Sequence, residues 1–149
     1  IYLKSNDHSE CNIIGGGEAI RFRYGYTDGT TQADCGSIDI TGTNSTNYAT
    51  SSDYRLKENQ VAITNAITRL KLLKPYRFNF KSEPSKTVDG FFAHEVTPAV
   101  PEAITGEKDG ERMQGIDQSK LVPLLTAALQ EAIAKIETLE TKVAALEAA

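Results

Sequence analysis

The residues best equipped for chemistry are a serine and a lysine five positions apart, Ser52 and Lys57. A serine hydroxyl is a weak nucleophile at neutral pH and needs a base within hydrogen-bond reach. A lysine amine serves as that base once it has lost its proton, which burial or a neighbouring cation such as Arg55 would promote. Five residues is too far for adjacency along a strand, whereas a turn or the start of a helix would close the gap. A lysine from a neighbouring subunit would serve as well. The spacing alone is weak: read by themselves, Ser52 and Asp53 are a capping pair or turn and Lys57 is a solvated charge. Other candidates are poorer. His8 and Cys11 have an H-x-x-C spacing, but a structural zinc site takes four ligands and Cys35 supplies only a third, so neither metal nor cofactor is expected. His94 could act as a second base, yet a single histidine beside Phe92 fits a packed ring better.

Three compositions follow one another around these residues. Positions 1–51 are rich in Gly, Thr, Ser and Asn, with short alternating runs at Ile20-Arg21-Phe22-Arg23-Tyr24 and Ser37-Ile38-Asp39-Ile40-Thr41. Bounded by Gly15-Gly16-Gly17 and Asp28-Gly29, these runs predict short strands joined by tight turns. Large apolar side chains are so sparse there that the segment could hardly bury a core of its own. From Ser52 the pattern changes. Ile63, Ile67, Leu70 and Leu73 have helical spacing, predicting a helix over 61–73 that ends before Pro75. Tyr76-Arg77-Phe78-Asn79-Phe80 alternates as a half-buried strand does. Turns are expected around Pro84, Pro98, Pro101 and Asp109-Gly110, so 52–118 is small and of mixed α+β type.

The last thirty residues carry the cleanest structural signal. Leu125, Leu129, Ala132, Ile136, Leu139, Val143 and Leu146 recur at alternating intervals of four and three, a heptad seam. Lys135, Glu140, Lys142 and Glu147 flank it at e and g positions, and Pro123 sits in the first turn, where its missing N–H costs little. One amphipathic helix packed on its own domain is the plainer reading. A self-associating coiled coil is the other, and Ala132 leaves the strand number open between dimer and trimer.

The segment Ser51-Ser52-Asp53-Tyr54-Arg55-Leu56-Lys57-Glu58-Asn59 resembles the signature S-D-x-R-L-K-x-N of the endosialidase-type intramolecular chaperones. These are C-terminal self-cleaving domains of phage tailspikes and fibres, also found in a eukaryotic membrane-bound transcription factor. Further blocks follow in the family's order: Lys74-Pro75-Tyr76-Arg77-Phe78, Gly90-Phe91-Phe92-Ala93-His94-Glu95-Val96, Pro101-Glu102-Ala103-Ile104, and the run from Ile116 to Leu125. Several ordered blocks are far more specific than one motif. Two departures stand out: Gln60 replaces a usual aliphatic residue and His94 a usual glutamine.

The resemblance implies a short all-β fibre end at 1–51, then an α+β chaperone domain at 52–149 whose terminal helix covers about 120–147, assembled as a homotrimer. It implies a cut between Ser51 and Ser52 by a self-cleaving serine peptidase of single turnover, with Ser52 as nucleophile and Lys57 as base. Asp53, Arg55, Asn59, His94 and Glu95 are expected to support the site. The folding client is the chain's own upstream segment, and the mature fibre could meet a host-cell receptor. Assembly would occur in the host bacterial cytoplasm, with the fibre ending in the virion tail and the chaperone fragment released. A trimerisation module that never cuts is the main alternative. Ile1 in place of an initiating Met points to a longer polypeptide. Composition narrows the remaining classes: with 149 residues, net charge -4 and no basic run, nucleic acid is not an expected partner. No apolar stretch approaches the roughly 20 residues that span a bilayer, so no membrane insertion is expected.

Overall fold

The computed structural model describes residues 3–4, 9–12, 18–24, 33–42 and 45–148, so the turns expected at Gly15-Gly16-Gly17 and Asp28-Gly29, and His8, lie outside the described residues. The chain is of mixed α+β type and divides into two compact units, Ile1–Gln60 and Val61–Ala149.

The first unit is an antiparallel meander of β1 (Leu3–Lys4), β2 (Ser9–Asn12), β3 (Glu18–Tyr24), β4 (Ala33–Gly42) and β5 (Ser45–Thr50), paired in chain order. Both alternating runs of the sequence fall inside β3 and β4. Ile20 faces Ile38, and Ile38 faces Tyr48, so one row of apolar side chains crosses three strands. Such cross-strand pairs are the unit of sheet stabilisation. Among the residues whose burial is described, 20–22, 35–39 and 45–60, none is buried, and Tyr48 is 77% exposed. Gly36 opposite Thr50 is required by close packing: a Cβ there would lie 2.5 Å from the Ala49 carbonyl oxygen.

The second unit has a core of small side chains. Ala66, Val96, Ala99, Val100, Ala103, Leu121, Leu124 and Ala128 are buried, with Ile67, Leu70, Leu73, Phe91, Ile104 and Ile116 packed around them. They come from α1 (Ala66–Leu70), α2 (Ala93–Val96) and α3 (Val122–Glu147) and the loops between. The hairpin β6 (Tyr76–Asn79) with β7 (Thr87–Gly90) and the short pair β8 (Ile104–Thr105) with β9 (Gly115–Ile116) complete the unit. The helix expected over 61–73 is shorter than its apolar spacing suggested. Asn65 takes a left-handed conformation (φ 55), so helical hydrogen bonding begins only at Ala66, and Pro75 keeps the chain after Leu73 extended.

The terminal helix is as long as expected, at 26 residues. Its early turns bury Leu124 and Ala128 in the core, next to α1. The heptad seam is a different stripe. Leu125, Leu129, Ile136, Leu139, Val143 and Leu146 are between 46% and 77% exposed, and every residue from Ile133 to Ala148 is exposed. The packed-helix reading therefore holds for one face of the first turns and leaves the seam uncovered.

Candidate functional site

The signature segment begins where the β-meander ends. The Ser51 N–H donates to the Cys35 carbonyl at 3.1 Å, so Ser52 is the first residue past the ladder. Asp53 then has extended backbone (φ -62, ψ 136) and caps a single 3-10 turn, Tyr54–Leu56. Its Oδ1 accepts the Arg55 N–H at 2.9 Å, the capping geometry that aspartate favours. The Arg55 guanidinium grips the same carboxylate from the side, Nε on Oδ1 at 2.9 Å and Nη2 on Oδ2 at 2.8 Å. Two backbone bonds close the turn, from the Leu56 N–H to the Asp53 carbonyl and from the Lys57 N–H to the Tyr54 carbonyl, each 3.1 Å.

The turn brings the ends of the motif together. Lys57 Nζ donates to Ser52 Oγ at 2.7 Å. Of the geometries open to the sequence, this one is a turn within a single chain. Asn59 follows in the left-handed region (φ 54), a conformation asparagine tolerates better than most residues, and redirects the chain beyond the motif.

The electrostatics differ from the expectation on one point. Arg55 was the candidate cation to act on Lys57, but its charge is matched by Asp53. The Arg55 fork holds the Asp53 carboxyl below the usual carboxylate range, with the Arg55 N–H adding to it, and Asp53 in turn raises Arg55. Every residue from Ser51 to Gln60 is exposed in the single chain, including the apolar Tyr54 at 82% and Leu56 at 70%.

One turn thus brings Ser52, Asp53, Arg55 and Lys57 together, with Ser51 at the end of the meander before it and Asn59 just past it. His94 and Glu95 belong to α2 in the second unit. The half-buried His94 ring stacks on Phe92 at 6.2 Å, and Glu95 Oε1 accepts from Lys74 Nζ at 3.1 Å. Lys74 is the main cause that holds the Glu95 carboxyl below its usual range. Sequence reasoning passed over two residues. Glu131 accepts the Ile67 N–H at 3.1 Å and so satisfies the start of α1, where Asn65 makes no side-chain cap. Ile133, 45% exposed at an e position, widens the seam; that signal stood in the sequence as an apolar residue directly after Ala132. No described helix is long and apolar enough to cross a membrane.

Residues 52–105 match the family model described as the chaperone of endosialidase. Over this segment the chain is similar to the chaperone-of-endosialidase family. The match opens at Ser52 itself, and the family's name also classes it as a peptidase. The chain is similar, too, to a long tail fiber protein of Escherichia phage AR1, at 32% identity across 54% of this chain. It spans about 8% of that protein's length. The expectation drawn from the signature blocks therefore stands as far as the family is concerned.

Proposed function

We propose that this chain is the C-terminal part of a phage tail fibre or tailspike, and that residues 52–149 trimerise it, hold the upstream β segment in register while it folds, and then cut themselves off. The observation that carries the reading is the 2.7 Å hydrogen bond between Lys57 Nζ and Ser52 Oγ, directly after β5, the last strand of the meander. Lys57, once unprotonated, takes the hydroxyl proton as Ser52 Oγ attacks the Ser51 carbonyl carbon. The peptide C–N bond breaks, the proton passes to the departing Ser52 nitrogen, and an ester joins Ser51 to the Ser52 side chain. Water then hydrolyses the ester, leaving a Ser51 carboxylate and a free Ser52 amine and hydroxyl. Direct attack by a water held between Ser52 and Lys57 gives the same products.

The exposed seam supports the assembly half of the reading. Leu129, Ile136 and Val143 fall at a, and Leu125, Ala132, Leu139 and Leu146 at d. In a parallel arrangement the g residues Lys135 and Lys142 meet Glu140 and Glu147 at e of the neighbouring helix, a complementary pattern. Lys135 already pairs with Glu131 of its own helix at 3.1 Å, so it would exchange or share partners on assembly. Ile133 broadens the apolar stripe beyond a two-stranded seam, which favours three helices. The upstream unit, with no buried residue among 20–22, 35–39 and 45–60, is a fitting client: interlaced β pairing is slow, and exposed edges aggregate meanwhile. Tethering three copies makes that pairing effectively intramolecular.

Assembly takes place in the host bacterial cytoplasm, and the mature fibre joins the virion tail. A second reading is favoured by one observation: Ser52 and Lys57 stand open to water in the single chain, with no packed wall around them. On that reading the domain trimerises without cutting, and residues 1–51 help to bind a host receptor. Denaturing electrophoresis of the full-length protein beside Ser52→Ala separates the two. Two bands for the wild type and one for the variant support cleavage; one band for both leaves an assembly module.

A further inference from the structure

We propose that Asp53 is the positioning residue for the cut, folding the turn that delivers Lys57 to Ser52. The inference rests on the reading of Ser52 as nucleophile and Lys57 as base. Fully extended, five residues would carry Lys57 about 17 Å from Ser52, well beyond the reach of its side chain. The 2.7 Å contact therefore depends on the chain turning between them.

Little else holds that turn. It is one turn of 3-10 geometry, whose hydrogen bonds are poorer than those of an α-helix. None of its residues is buried, so packing contributes little. Two backbone bonds at 3.1 Å close it. Against these stand three bonds to one carboxylate at 2.8 to 2.9 Å: the Arg55 N–H and both arms of its guanidinium. Exposed ion pairs are ordinarily weak. This one differs because the same Oδ1 also accepts a backbone N–H, so the pair fixes main-chain dihedrals as well as two side chains.

Asp53 lies between the nucleophile and the turn, and its side chain makes no bond to either Ser52 or Lys57 among those described. It acts through the backbone. Asparagine keeps an oxygen for the Arg55 N–H, while alanine keeps none.

Cell-free synthesis of the full-length protein, sampled over time on denaturing gels, tests this with Asp53→Ala, Asp53→Asn and Lys57→Ala. Asp53→Ala should slow cleavage at least about tenfold, the scale on which a misplaced catalytic group acts. Asp53→Asn should stay within about threefold of wild type, since the two residues cap almost equally well. Light scattering should give both variants the mass of the wild-type assembly. Ethylamine in the buffer, a base that needs no tether, should speed cutting in Asp53→Ala and Lys57→Ala alike. Wild-type cleavage in Asp53→Ala overturns the proposal. So does ethylamine that speeds Lys57→Ala but not Asp53→Ala, because the defect would then not be a misplaced base. The underlying dyad fails separately, if Lys57→Ala cuts at the wild-type rate.

Discussion

Placing an aspartate in the exposed seam of α3 should dissolve the assembly. Ile136 is 53% exposed and Leu139 58% in the single chain, so roughly half of each side chain's burial remains to be gained on association. Fully burying such a side chain contributes about 1.5–3 kcal/mol, which leaves about 1 kcal/mol per chain and about 3 kcal/mol per three-helix layer. Each 1.4 kcal/mol is a factor of ten, so Ile136→Asp should weaken the trimer more than a hundredfold through lost burial alone. Three carboxylates in one apolar layer add a further penalty, whether they stay charged or take up protons. Changing Leu139 as well removes a second layer. Sedimentation equilibrium at micromolar concentration should find a trimer for the wild type and a monomer for the double variant. Thr138→Asp, at an outward c position, is the matched control and should remain trimeric. A double variant that keeps the trimer mass, or a control that falls apart equally, would refute the reasoning.

Three further outcomes follow from particular contacts. Leu124→Ala removes a side chain only 2% exposed in the core of the second unit and should cost about 2–4 kcal/mol, read as a lower melting temperature and denaturant midpoint. The Glu131 carboxyl is held below its ordinary value of 4.5, chiefly by the Ile67 N–H and then by Lys135. Its folded-state value is the lowered one, so the contact should be complete above about 4.5 and be lost as pH falls through that lower value. The Ile67 amide resonance should follow this titration in the wild type and not in Glu131→Gln. Gly36→Val should disrupt the pairing of β4 with β5, because its Cβ would meet the Ala49 carbonyl oxygen at 2.5 Å. Hydrogen exchange at those strands should rise while α1 and α3 keep their protection.

What could be read from the sequence depended on whether a residue's role was local and periodic. Strands β3, β4 and β6 showed as alternation, and α3 as a heptad, because apolar residues placed on one face repeat with the period of the element. The helix expected over 61–73 failed at its start. A left-handed Asn65 leaves no trace in an apolar count, and Ile63 fits the helical spacing while standing outside the helix. Which side of α3 packs on the domain was equally hidden. Leu124 and Leu125 are neighbours of one type, and only the position of α1 makes the first buried and the second exposed. At the site, residue types and resemblance pointed to Ser52 and Lys57, whereas the device joining them did not show. Asp53 and Arg55 read separately are a cap and a free cation; their mutual grip depends on a turn of a single residue's reach. Glu131 lies 64 positions from Ile67, and no local pattern links the two.

The central claim is that Lys57 activates Ser52 to break the bond before it. Intact-mass spectrometry of the full-length protein, with Lys57→Ala and Lys57→Arg beside it, tests that claim most directly. The wild type should yield a fragment whose first residue is Ser52, with both variants left whole, since neither alanine nor a guanidinium can act as the base. A fragment starting at any other residue, or complete cleavage in Lys57→Ala, would contradict the account.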